Sequence, residues 1–162
     1  INLDVASQLI YERVAIESMV FRDFIRTVSP PDAEKVRYGL YRMEQVAQKA
    51  RDLEHFDIYE FLECDHAMHA LWFYATGKDV LWQRITRPHP DYSRLMRLDV
   101  VGARNVQEVL ADHQEMMRMI DAREEEHIEE LMVRHLYGNV RRLGGRLFTD
   151  EYKKYFQPLD QR

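Results

Sequence analysis

Apolar residues recur every three or four positions along almost the whole of this 162-residue chain, and no stretch shows the period-two alternation of a half-buried strand. That feature restricts the chain to helices packed on helices. Gly and Pro are scarce, at 6 and 5 residues, which argues against a turn-rich all-β fold. The spacing predicts helices over about Leu3–Val28, Ser29–Arg51, Asp57–Ala75, Asp79–Thr86, Asp91–Asp99 and Val106–Ala122, and from about Arg123 to Gly144-Gly145. Ser29-Pro30-Pro31-Asp32 stops the first and starts the second, with serine as N-cap, proline in the first turn and an acid at the third position. Gly77 ends the third, Pro88 and Pro90 close the fourth, and Gly102 follows the fifth. Thr149 is placed to cap a last short helix through Phe156. The expected fold is all-α, an antiparallel bundle of about six to seven helices. Residues 1–145 form the bundle, and residues 146–162 form a C-terminal extension with a short helix.

Three of the apolar stripes are interrupted in a related way. The third helix carries Ile58, Leu62, Asp65, His69 and Trp72 on one face, and Asp65 and His69, four apart, can reach one point in space. The sixth carries Val106, Val109, His113, Met116 and Ile120; the seventh carries Ile128, Leu131, His135, Asn139 and Arg142. A carboxylate on an apolar stripe is costly unless it is paired or holds a cation. Imidazole and carboxylate together suit Zn, Ni, Mn or Fe and fit Ca or Mg poorly. His55, His66, His89 and His127 lie in loops or off these stripes. Spacing alone leaves two readings open: one shared metal site, or histidines packed separately.

A rival set is Glu63-x-x-His66 with Glu124-x-x-His127, the pattern of a di-iron bundle. Glu63 lies about 160° around its helix from Asp65, and Glu124 belongs to an acidic run suited to a solvated helix start. The di-iron reading is therefore set aside. Arg13 is a further anomaly, because it shares the stripe of Leu9, Ile16, Val20 and Phe24. It either pairs with Glu17, four residues on, or clamps a carboxylate ligand. Arg94 and Arg97 are candidates to line a cavity, with at least one of them solvated. Trp72, Phe73, Tyr74 and Trp82 are read as core, and Cys64 as a small buried hydrophobe.

Composition excludes several classes. Net charge is −5 and no run of Lys or Arg exceeds two, so a basic footprint for nucleic acid is missing. One cysteine precludes an internal disulfide and makes a reducing, cytoplasmic compartment the default. No apolar run approaches the ~20 residues of a membrane span. The chain opens in a helical pattern without Met, so a fragment or trimmed piece is expected.

The ordered set Tyr11-Glu12-Arg13 to Glu17, Asp65-x-x-x-His69, His113 with Ile120, and His135-Leu136 resembles the FCD domain, the effector-binding C-terminal half of GntR-type bacterial transcription regulators. The intervals, 44 residues from His69 to His113 and 22 from His113 to His135, are similar to that family's. The likeness covers roughly Leu3 to Arg142. Lys78 after Gly77 departs from it, and the tail after Gly145 lies outside it. The resemblance implies a divalent transition metal, zinc first, held by Asp65, His69, His113 and His135. It also implies a small organic-acid or sugar-acid effector, a homodimer, and operator DNA bound only through a winged helix-turn-helix expected to be missing from this chain. Arg13, Asn139 and Arg97 are the candidate effector contacts. No catalytic residue is assigned. A metalloenzyme, with Glu17 as the one inward acid near the site, and a metal-stabilised structural bundle remain the alternatives.

Overall fold

A computed structural model describes residues 1–52, 54–100, 103 and 105–157. Among these the protein is an all-α bundle without a strand: α1 (Leu3–Thr27), α2 (Pro30–Gln48), α3 (Ile58–Ala75), α4 (Asp79–Ile85), α5 (Pro90–Val100), α6 (Val106–Ala122), α7 (Ile128–Leu136), α8 (Gly138–Leu143) and α9 (Asp150–Lys153). Gly102, expected to follow α5, lies outside the described residues.

Side chains cap the long helices where the first-turn N–H groups lack intrahelical acceptors. Asn2 Oδ1 accepts from Val5 N–H (3.2 Å), Ser29 Oγ from Asp32 N–H (3.3 Å), and Asp57 Oδ1 from Tyr59 N–H (2.8 Å). Gly77 adopts φ +67°, and Lys78 N–H donates back to the Phe73 carbonyl (2.8 Å), which closes α3 in a left-handed cap.

Two expected boundaries move. The second helix stops at Gln48, and Lys49–Arg51 is a 3-10 turn. The predicted seventh helix starts at Ile128 and breaks into α7 and α8. Arg123 does not open it; at φ 52° it ends α6, and its guanidinium donates to the Ile25 and Val28 carbonyls at the end of α1 (2.6 and 2.7 Å). The break falls at Tyr137, directly before Gly138-Asn139 in the first turn of α8. Glycine is a poor helix former, and Asn139 Oδ1 accepts from Val140 N–H (2.6 Å), competing with the backbone ladder. In the extension Thr149 occupies the N-cap position of α9, but its hydroxyl donates backward to the Arg146 carbonyl (2.8 Å).

Helix α1 packs on α3, α5 and α7, and α2 packs on α3 and α6. Two apolar clusters result. The larger contains Phe21, Phe24, Met43, Phe61, Trp72 and Met116; the smaller contains Ile10, Val14, Leu95, Leu136, Leu143 and Leu147. Tyr74, one residue around from Phe73, is exposed rather than core. On α1 the clusters are separated by Arg13, Glu17 and Ser18, all buried. The buried line of α1 runs Ile10, Arg13, Glu17, Phe21 and Phe24, whereas Leu9 and Ile16 sit at its half-buried edge. The polar interior therefore lies where the two clusters meet. No helix among the described residues is long and apolar enough to cross a membrane.

Candidate metal centre

Asp65 and His69 come from consecutive turns of α3, His113 from α6, and His135 from the last turn of α7. All four are buried, and each offers one donor atom within 4.8 Å of the other three. Asp65 Oδ1 lies 3.9 Å from His69 Nε2, 3.4 Å from His113 Nε2 and 3.6 Å from His135 Nε2. The Nε2 atoms of His69 and His135 are 3.1 Å apart. Donors held about 2.1 Å from one transition-metal ion stand roughly 3.0–3.4 Å apart in octahedral or tetrahedral order, so the set is a few tenths of an ångström wider than a closed site.

The other ring nitrogen of each histidine faces an acceptor. His69 Nδ1 donates to Glu17 Oε2, His113 Nδ1 to the Val109 carbonyl (2.9 Å), and His135 Nδ1 approaches Asp112 Oδ2 at 3.4 Å. An acceptor at Nδ1 holds the proton there and leaves Nε2 as a lone pair aimed inward, the usual arrangement around a metal-ligating histidine. His113 Nε2 is buried and has no hydrogen-bond partner. It is an acceptor facing a carboxylate oxygen, a contact that costs free energy unless a cation lies between the two. The residues thus fit a divalent cation.

Protonation follows the same geometry. Burial would push Asp65 up, but its bond with His135 and the three imidazoles hold it well below the usual carboxylate range. Burial, reinforced by the charge of His135, pushes His113 down to about 3. For His135 burial alone would lower the value; Asp112 and Asp65 on either side override it and raise it to about 9. Asp112 and Asp65 therefore favour a proton on His135, which a metal ion would have to displace.

Arg13 takes the first of the two roles open to it in sequence, the pair with Glu17. Its Nε donates to Glu17 Oε1 (2.6 Å) and its Nη1 to the Tyr92 hydroxyl. Glu17 is fully buried; burial raises its pKa, and Arg13 with His69 overcome this and hold it at about 2. Arg13, Asp65, Tyr92, His135 and Asn139 line one cavity of about 20 Å³, measured for the centre of a water molecule. Asn139 donates from Nδ2 to Met96 Sδ (3.0 Å) at its edge. Arg97 is not brought to this cavity. It is exposed, with its guanidinium 5.4 Å over the Tyr59 ring, because α5 turns Leu95 and Asp99 inward instead. Arg94 is exposed as well, and Arg142 takes the cavity position expected of an α5 arginine.

The roles of two residues behind the histidines do not emerge from sequence. Glu17 is legible as a partner for Arg13 and as an inward acid near the site, but not as the acceptor behind His69. Asp112 was hidden because it sits next to His113, about 100° off the α6 stripe. The spacing does hold a signal: Asp112 and His113 each precede Arg134 and His135 by 22 residues, and Asp112 accepts from Arg134 Nε (2.8 Å). The di-iron set is not assembled. Glu63, His66 and His127 are exposed, and Glu124 pairs with Arg118 (2.8 Å).

The FCD domain family model matches residues 8–138, most of the chain and every residue of the donor set. The chain belongs to the FCD-domain family. FCD domains are regulatory effector-binding domains of GntR-type regulators; they bind small molecules and work as dimers. No individual curated protein matches the chain.

Proposed function

We propose that this FCD domain binds one divalent transition metal through Asp65, His69, His113 and His135, and uses it to sense a small carboxylate. Zinc is the first candidate, with nickel, manganese and iron as alternatives. The observation that carries this is the arrangement at the histidines: three inward Nε2 atoms beside one carboxylate, each ring with an acceptor behind it at Nδ1. When bound, the metal supplies a Lewis-acid position for one carboxylate oxygen of the effector. Arg13, oriented by Glu17 and Tyr92, takes the other oxygen, and Asn139 donates a hydrogen bond from the cavity edge. The donors belong to three helices and Arg13 to a fourth, so ligand binding favours one packing of α1, α3, α6 and α7 over others. In a cytoplasmic homodimer carrying winged helix-turn-helix domains, that shift alters operator affinity. Catalysis is not part of the proposal, because Glu17, the nearby acid suited to act as a base, is held by Arg13 and His69.

The small cavity favours one second reading, a metal that only stabilises the bundle. Elemental analysis and acid titration separate the readings. The expected result is about one metal per chain and saturable binding of organic acids that Arg13→Lys weakens. Metal content well below one per chain, after metal is supplied, overturns both. Full metal with no binding across a broad acid panel leaves the stabilising metal alone.

A further inference from the structure

Asp65, His69, His113 and His135 are all buried, and the cavity beside them, about 20 Å³, holds one water. A hydrated cation reaches these donors only if a wall of that cavity moves. Phe61, Val109 and Leu136 form packed apolar walls, where an ion would shed water ligands with nothing to replace them. Asp99 and Arg142 make a polar wall. The same two residues line a second chamber of about 230 Å³, which meets solvent at the exposed Arg146 and at Glu108, whose side chain is 42% exposed.

The partition between cavity and chamber is therefore two side chains. Arg142 of α8 donates twice to Asp99 of α5, Nε to Oδ1 at 3.1 Å and Nη2 to Oδ2 at 2.6 Å. A third bond, from Nη1 to Glu108 Oε1 at 3.2 Å, ties it to the chamber side. Asp99 is also held by Asn105 Nδ2 (2.6 Å), so its carboxylate keeps a donor when the arginine leaves. Arg142 can thus let go of Asp99, keep Glu108 and turn toward water by a change of rotamer, with no backbone movement. Turned inward, the guanidinium sets a positive charge across the path of a cation. Turned outward, it leaves the Asp99 carboxylate facing that path, an oxygen donor able to replace a water ligand of a passing divalent ion.

We infer that the Asp99–Arg142 pair is the shutter of the metal's route, closed by the ion pair and open when Arg142 swings to Glu108. Asp99 is the first buried oxygen an entering cation meets. The inference rests on the metal site proposed above and is independent of any effector. A shutter sets rates and leaves affinity alone. Opening it breaks two charge-assisted hydrogen bonds, each weighting the closed form by roughly tenfold to a hundredfold.

The test uses Ni²⁺ alone. Trp72, whose ring lies 5.2 Å from that of His69, reports uptake by stopped-flow quenching, and excess chelator reports release by recovery of its emission. The variant is Asp99→Asn with Arg142→Ala, which removes the plug, strands no buried charge and leaves the net charge near the metal unchanged. Uptake and release should both accelerate at least about tenfold and by the same factor, so that the dissociation constant from chelator competition stays put. Arg142→Lys, which keeps the charge and gives up the two-bond fork, should accelerate both by a smaller, equal factor. Ile25→Ala, which loosens the larger apolar cluster away from the passage, should leave both rates within about threefold of the parent. Faster release with unchanged uptake means that the pair merely supports the site, and overturns the shutter. So do unchanged rates in the two partition variants, or equal acceleration in Ile25→Ala. Failure of the parent to take up Ni²⁺, or zinc in the elemental analysis, overturns the metal site and the shutter with it.

Discussion

Replacing Glu17 by Gln separates the two tasks of one buried carboxylate. Glu17 is fully buried; one oxygen accepts from Arg13 Nε at 2.6 Å and the other from His69 Nδ1. A glutamine offers one acceptor and turns an NH2 toward the second donor. Either Arg13 or His69 then faces a donor across a dry contact. Removing one partner of a buried ion pair costs about 3–5 kcal/mol, because the remaining charge is stranded. The titration of Glu17 gives a similar magnitude. A carboxyl held at about 2 against an ordinary 4.5 adds about 3 kcal/mol of stability. That stability is present above pH 4.5 and is lost as the pH falls through 2, since the folded state is the weaker proton binder.

Asp112→Asn is the matched control. Asp112 also backs a donor histidine, His135, but its cationic partner Arg134 is 48% exposed, against 9% for Arg13. Arg134 can turn to water when Asp112 is neutralised, and Arg13 cannot. Both substitutions loosen a ligating ring and should lower metal affinity about 10–100-fold. Only Glu17→Gln should also cost about 3 kcal/mol or more of metal-free stability. Urea denaturation of chelator-treated protein, followed by circular dichroism, measures the second quantity; chelator competition measures the first. The reasoning is refuted if the two variants lose equal stability, or if Glu17→Gln stays within about 1 kcal/mol of the parent at neutral pH.

Metal affinity should fall as pH drops from 9, about tenfold per unit, because His135 must give up the proton that Asp112 and Asp65 hold on it. Chelator competition between pH 7 and 9 checks the slope, and a flat profile excludes a charged His135. The metal-free protein should also lose stability from pH 6.5 downward, by up to about 1.4 kcal/mol per unit. His113, held at about 3, stays neutral when folded while its unfolded counterpart takes up a proton near 6.5, so acid favours unfolding. His113→Asn should flatten the denaturation midpoint between pH 4.5 and 6.5, and an unchanged slope would assign the acid sensitivity elsewhere. Arg97→Ala should leave metal and acid binding as in the parent, since its guanidinium sits over Tyr59 at the surface; weakened acid titration would show that it reaches the cavity.

What could be read from sequence divides along one physical line. Helical phase assigns a residue to a face, and for α3, α6 and α7 that suffices. The face carrying Asp65, His69, His113 and His135 is also the buried face, so phase alone brings the four residues inward together. Phase does not say which neighbouring helix covers the edge of a face. Asp112 lies at such an edge, and its burial depends on α7 bringing Arg134 and His135 alongside, a contact across 22 residues of chain. Arg97 lies away from this cavity for the converse reason. It shares α5 with Asp99, but two residues apart is about 160° around a helix, and packing against α8 chose the Asp99 side. Glu17 is the instructive intermediate. Its place on the inner face of α1 and its spacing from Arg13 are legible, and an i,i+4 ion pair accounts for one of its oxygens. A carboxylate has two oxygens, however, and a buried one must satisfy both. Counting acceptors, rather than partners, would have required a second donor for Glu17 on a facing helix, and His69 was the candidate already in view.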